Sequence, residues 1–105
     1  MKIFKYEEIE ASNGLVKSYE LNENELGDIC PAEFYLYIDS DITVDVVGYI
    51  NNERQLAAPK VINVGTFEKK DTITTAGLYL IMSSGYSKIE LTFNGKANAI
   101  AKIII

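Results

Sequence analysis

Histidine and tryptophan are absent from this 105-residue chain, cysteine occurs once and proline twice. Each shortage excludes something. Without histidine, Ser-His-Asp and Cys-His catalysis are ruled out, and the commonest zinc ligand is missing. A single cysteine, Cys30, cannot close an internal disulfide; between Ile29 and Pro31 it reads as a small buried hydrophobe. The lack of tryptophan removes the side chain best suited to stacking on sugar rings. No Gly-rich segment follows a strand-like run and opens a helix-like one, so a phosphate-cradling loop is not expected. No apolar run approaches the ~20 residues of a membrane helix, and no membrane partner is expected.

The charge balance narrows the partners further. Fifteen acidic and ten basic residues leave a net charge of −5, and the basic ones are scattered, with only Lys69-Lys70 adjacent. A phosphate backbone needs clustered Lys and Arg, so no nucleic-acid partner is expected. Met1–Lys5 is basic enough to open a signal peptide, but Glu7, Glu8 and Glu10 stand where an apolar stretch would be required. The expectation is a cytoplasmically made, soluble chain without a signal peptide. A hydrophobic fraction of 48% and a charged fraction of 24% are ordinary globular values. One domain over 1–105 is expected, with residues 1–14 as an N-terminal arm or an edge strand. A chain of this size buries roughly two-thirds of its unfolded surface.

What is present is β pattern. Short apolar-rich runs broken by Gly, Asn, Asp and Pro recur about every ten residues, the spacing of a sandwich or barrel. Ile3–Ile9 and Leu15–Leu21 flank Asn13-Gly14. Phe34, Leu36 and Ile38 point one way, Tyr35 and Tyr37 the other. Ile42, Val44, Val46 and Ile50 share a face broken by Gly48. Glu53–Ala58 has helical propensity that Pro59 limits to about a turn. Val61–Phe67 reads as a strand with a bulge at Gly65. Thr72–Thr75, Leu78–Met82, Lys88–Phe93 and Ala97–Ile105 complete the set, with Asn94-Gly95 a strong hairpin signal. About eight strands predict an all-β, two-sheet antiparallel sandwich of jelly-roll or immunoglobulin-like type. Its predicted core is Phe34, Leu36, Ile38, Val44, Val46, Leu78, Leu80, Ile89, Leu91 and Phe93.

Few residues suggest chemistry. Asp39, Asp41 and Asp45 lie close in sequence, with Glu23, Glu25 and Asp28 elsewhere, but the spacing lacks the twelve-residue Ca²⁺-loop pattern. A solvated turn is the expected role, and no catalytic residue, metal or cofactor is assigned. Seven tyrosines and four phenylalanines are a large aromatic stock. Tyr35, Tyr37 and Tyr49 fall opposite the core residues of their strands and read as a surface stripe for sugar or protein contacts. In the last strand Ala97, Ala99, Ala101 and Ile103 alternate with Asn98, Ile100, Lys102 and Ile104. This strand is either doubly buried or pairs with a neighbouring subunit through an open edge.

From about Glu33 to Ile104 the chain resembles small β-sandwich modules of tailed-phage virion proteins. The residues that carry the likeness are Ile73-Thr74-Thr75-Ala76-Gly77-Leu78-Tyr79-Leu80-Ile81 and Ser84-Gly85-Tyr86-Ser87-Lys88-Ile89-Glu90-Leu91. Gly77 and Gly85 supply turn freedom, and Tyr79 and Tyr86 are expected to cover the sandwich ends. The central loop, Asn51-Asn52-Glu53-Arg54-Gln55-Leu56, departs from the Trp-bearing tip such modules often carry. The resemblance implies a non-catalytic virion structural protein of decoration, head-fibre-base or tail-accessory type, made in the host bacterial cytoplasm. Its implied partners are the major capsid protein or other virion proteins, together with copies of itself in a trimer or symmetric ring. Expected interface residues are Ile3, Phe4, Tyr6, Tyr35, Tyr37, Tyr49, Ile103, Ile104 and Ile105. A carbohydrate-binding module and a small bacterial interaction domain are the alternatives.

Overall fold

Residues that alternate with a period of two bury one face and wet the other, and here they build two stacked antiparallel sheets. The computed structural model describes residues 3–21, 33–51 and 53–104, with Ile3 and Phe4 as backbone only. The long strands are β1 (Ile3–Ala11), β2 (Leu15–Glu20), β3 (Glu33–Ile38), β4 (Thr43–Ile50), β9 (Gly77–Ile81), β10 (Lys88–Asn94) and β11 (Ala97–Ile104). Between them lie the short strands β5 (Glu53–Arg54), β6 (Val61–Asn63), β7 (Lys69–Lys70) and β8 (Thr72–Ile73). One sheet runs β1-β11-β3-β9-β6-β7 and the other β2-β10-β4-β5, with β8 also paired to β4. The all-β sandwich is as expected, with eleven strands in place of about eight because four are only two or three residues long.

Most chain reversals cross from one sheet to the other. The Asn94-Gly95 turn joins β10 to β11 across the sandwich, so the expected in-sheet hairpin is corrected. A two-residue hairpin would set Phe93 and Lys96 side by side on one face. Phe93 is fully buried and Lys96 exposed, so the chain arches over, with Phe93 and Ala97 both facing inward. Gly95 makes the arch possible: its φ is +148°, and a Cβ there would lie 2.6 Å from the Ile42 side chain. Asn13-Gly14 does the same between β1 and β2, and the Gly14 amide donates to the Phe93 carbonyl at 2.8 Å.

The core lies between the sheets. Phe34, Leu36 and Ile38 meet Val44, Val46, Ile89, Leu91 and Phe93, all buried as expected. Tyr19 stands edge-on to Phe34, with ring centres 5.2 Å apart. The expected phase of β9 is reversed: Leu78 is 40% exposed and Leu80 half-buried, whereas Tyr79 and Ile81 are core. Tyr79 therefore fills the interior, its hydroxyl donating to the Thr75 carbonyl at 2.8 Å beside the Thr75 hydroxyl. With aliphatics on both sides of the strand, register decides, and Tyr79 is opposite the buried Leu36. Gly77 and Gly85 both adopt positive φ.

Three further boundaries differ from expectation. Ile50 is exposed rather than core, and the buried position before it is Gly48, against which Tyr86 packs. Val61–Phe67 is a strand only to Asn63; Gly65 lies in the following turn and makes no bulge. Glu53–Arg54 pairs with β4 as a strand in place of a helical turn.

Candidate functional site

Antiparallel pairing sets the outward side chains of the six-stranded sheet in rows. One row runs Tyr6, Lys102, Tyr35, Leu80 and Ile62 across β1, β11, β3, β9 and β6. The next runs Glu8, Ile100, Tyr37 and Leu78. Side chains directly opposite one another sit about 5 Å apart, so each row is continuous. Between the rows lies a shallow hollow of about 340 Å³, lined by Tyr6, Tyr35, Tyr37, Leu78, Ile100, Lys102 and Ile104. Among the described residues no carboxylate pairs with Lys102. The Tyr35 hydroxyl donates to Glu33 at 3.0 Å, which holds its proton above the usual phenol range and fixes one wall of the hollow.

The structure therefore brings together four of the expected interface residues, Tyr6, Tyr35, Tyr37 and Ile104. Tyr49 is not with them. It lies on the outer face of the other sheet, with the Lys88 ammonium 4.2 Å above its ring, so the three-tyrosine stripe is corrected to two. β3 and β4 belong to different sheets, and their outward faces point in opposite directions. Ile103 is fully buried, and β11 is paired on both sides, by β1 and β3. The open final edge is thus also corrected: the strand is internal. Ile3 and Phe4 lie on β1 with side chains outside the described residues, as is all of Ile105.

Leu78, Leu80, Ile100 and Lys102 were missed as surface groups. The available signal was the apolar residue on both faces of β9 and β11, which a strand covered on one side does not need.

The acidic residues hold turns. Asp39 accepts from the Asn98 amide at 2.8 Å, and this bond, with help from Ser40, keeps its carboxyl below the usual range. Asp41 accepts from the Ala76 amide at 2.7 Å and Asp45 from the Asn94 side chain at 3.0 Å. Each carboxylate fastens a different loop. Among the described residues no group of three or more potential ligands could hold a metal. Cys30, Glu23, Glu25 and Asp28 lie outside the described residues.

At the β1–β2 side of the sandwich Glu7 joins the sheets. It accepts from the Tyr19 hydroxyl at 2.6 Å and from Lys17 at 3.5 Å. The Tyr19 bond, followed by Lys17 and Lys5, holds the Glu7 carboxyl below its ordinary value against some burial. Burial and the same carboxylate push the Tyr19 hydroxyl up.

Two large apolar side chains stand clear of the sheets, Leu56 and Phe67, and the second also has an unusual backbone. Phe67, between β6 and β7, is 82% exposed and has a φ of +60°. That conformation costs a non-glycine residue roughly 1–2 kcal/mol. The turn is fastened by Asn63, whose side chain accepts from Gly65 at 2.9 Å and whose carbonyl accepts from Phe67 at 2.7 Å.

No protein-family model matches the sequence, and no curated protein matches it. Among solved structures, the crystal structure of SPBc2 prophage-derived protein YomS superposes with a TM-score of 0.68. The match covers 98% of this chain and 96% of that one at 11% identity. At that identity the likeness is one of fold, and it extends over the whole described sandwich.

Proposed function

We propose that this chain is a non-catalytic bacteriophage virion structural protein, an auxiliary or decoration subunit. It docks on the major capsid protein or another virion protein, and assembles with symmetric copies of itself. The observation that carries the reading is the apolar, tyrosine-rich outer face of the six-stranded sheet, centred on Tyr37 and Leu78. Exposed apolar side chains gathered into one patch are the usual material of an interaction surface. A fold shared end to end with a prophage-derived protein supports the phage setting, as does the run from Ile73 to Leu91 discussed above. The test is detection of the chain, by mass spectrometry, in gradient-purified particles of the phage or prophage that encodes it. Stoichiometric recovery is expected; consistent absence from particles, with no capsid or portal genes beside its own, would sink the reading.

The three tyrosines of the hollow favour one second reading, a carbohydrate-binding module. Tyrosine rings can stack on sugar faces, and their hydroxyls reach sugar hydroxyls. A glycan array with and without Ca²⁺ separates the two, and micromolar sugar binding that Tyr37→Ala abolishes would favour this alternative.

A further inference from the structure

We propose that copies of this chain associate head to tail, Phe67 of one copy entering the tyrosine-lined hollow of the next. The proposal deepens the docking reading above and rests on it for the face that is used. Phe67 lies in the β6–β7 turn at the edge of the six-stranded sheet and does not line the hollow. The ring projects from the β6–β7 turn and, at 82% exposed, does not cover the hollow of its own sheet. The turn holds it there rigidly, through Asn63 and through the Thr66 hydroxyl, which accepts from the Glu68 amide at 3.3 Å. A bulky residue kept at φ +60° and left in water is explained when a partner receives it.

Size and charge both fit a second copy. The hollow, about 340 Å³ and walled by rings and aliphatic chains, has room for an aromatic side chain. Its wall carries Lys102 without an ion-pair partner among the described residues, and Glu8 and Glu33 stand in the rows beside it. Beside Phe67 stand Glu68 and Lys70, paired with each other at 2.8 Å and exposed, together with Lys69. The flank of the knob carries two lysines and one glutamate and the wall of the socket one lysine and two glutamates, so their net charges are opposite. Four strands and about three rows make a patch of roughly 300 Å², short of the about 800 Å² per partner that a stable pair needs, so no contact through this patch alone is strong. A knob and a socket at different places make a heterologous contact, which closes into rings when the rotation allows. The contact is weak between two free copies and gains from repetition in an assembly.

Sedimentation equilibrium of the full chain, from about 10 µM to about 1 mM, tests this against the affinity scale for weak contacts. The wild type is expected to associate reversibly and to grow beyond the dimer. Phe67→Asn should raise the dissociation constant at least ~30-fold with an unchanged or higher melting temperature, since Asn accepts positive φ. Leu78→Glu should block the socket equally; Tyr37→Glu replaces it if the first variant melts early. An equimolar mixture of the knobless and socketless variants should form a one-to-one complex and stop there. A wild type that stays monomeric, a Phe67→Asn chain that associates normally, or a mixture that remains monomeric would each overturn the proposal. A monomeric chain still found on particles overturns this contact alone; a chain that assembles in solution but is absent from particles overturns only the virion reading.

Discussion

The two outer faces of the sandwich share one core and differ in nearly everything else. On the five-stranded sheet, Ser18 donates to Glu90 at 3.4 Å, the Asn94 side chain donates to Asp45 at 3.0 Å, and Lys88 covers Tyr49. Polar groups there find partners within the sheet. On the six-stranded sheet, Tyr6, Tyr37 and Leu78 stand exposed around Lys102, with which no carboxylate among the described residues pairs. Strand propensity alone asks for neither arrangement, because both sheets fold on the residues between them. The difference lies in what covers each face: polar pairs and Lys88 lie over the five-stranded sheet, with Val16 its exposed aliphatic, whereas tyrosines and Leu78 gather on the six-stranded one.

The largest effects should be blind to that difference. Leu36→Ala beneath the apolar face and Leu91→Ala beneath the polar one remove side chains that are both fully buried. Each should cost about 2–5 kcal/mol in urea denaturation. A cost below about 0.5 kcal/mol at either site would mean that the sheets do not share one core. Gly48→Ala comes next, on the inward side of the five-stranded sheet. Its new methyl would lie 2.4 Å from two Tyr86 ring carbons and 3.0 Å from Pro59. A rigid ring cannot yield as a flexible tip does, so about 1–3 kcal/mol should be lost.

Glu7 sharpens the comparison at the side where the two sheets are tied. Glu7→Gln weakens the bond to Tyr19 and the pairing with Lys17, at about 1 kcal/mol near pH 7. The folded carboxyl lies below its ordinary value of 4.5. Its contribution is therefore present above that value and is lost as pH falls through the folded one. Melting curves of the variant and the parent should converge at acid pH; a gap that persists there would mean that Glu7 acts through packing and not charge. The smallest effect has the opposite sign. Phe67→Asn relieves the left-handed backbone and should leave stability unchanged or raise it by up to about 1 kcal/mol. A loss of more than that would show the ring packed within its own subunit.

Much of the fold was legible because burial follows alternation where one face is plainly polar. β3, with Tyr35 and Tyr37 opposite Phe34, Leu36 and Ile38, is such a strand, and so is β10. β9 was misread because Leu78-Tyr79-Leu80-Ile81 is apolar on both sides, and the choice fell to the cross-strand neighbour Leu36 and to the Thr75 partner of Tyr79. The Asn-Gly pairs announced turns but not their destination. Sheet crossing was encoded more faintly, in the mismatch between buried Phe93 and charged Lys96. Of the tyrosine-rich outer face, Tyr35 and Tyr37 on β3 could be read from parity, whereas β1 around Tyr6 lacks clean alternation. The leucines of that face could not, because they were assigned to the core. Tyr49 was misplaced for the same topological reason, since parity fixes a side within a strand and says nothing about which sheet holds it.

If the chain docks as proposed, only the outer face of the six-stranded sheet takes part. Val16 and Leu78 form a matched pair for testing it: both are aliphatic, exposed by 49% and 40%, on opposite outer faces. Replacing either by Glu should change subunit stability by less than about 0.5 kcal/mol. Incorporation of the two variants into particles, quantified against the wild type in the same preparation, is the direct measurement. Leu78→Glu should be excluded while Val16→Glu is incorporated normally. Normal incorporation of Leu78→Glu with exclusion of Val16→Glu would contradict the assignment and move the docking surface to the five-stranded sheet.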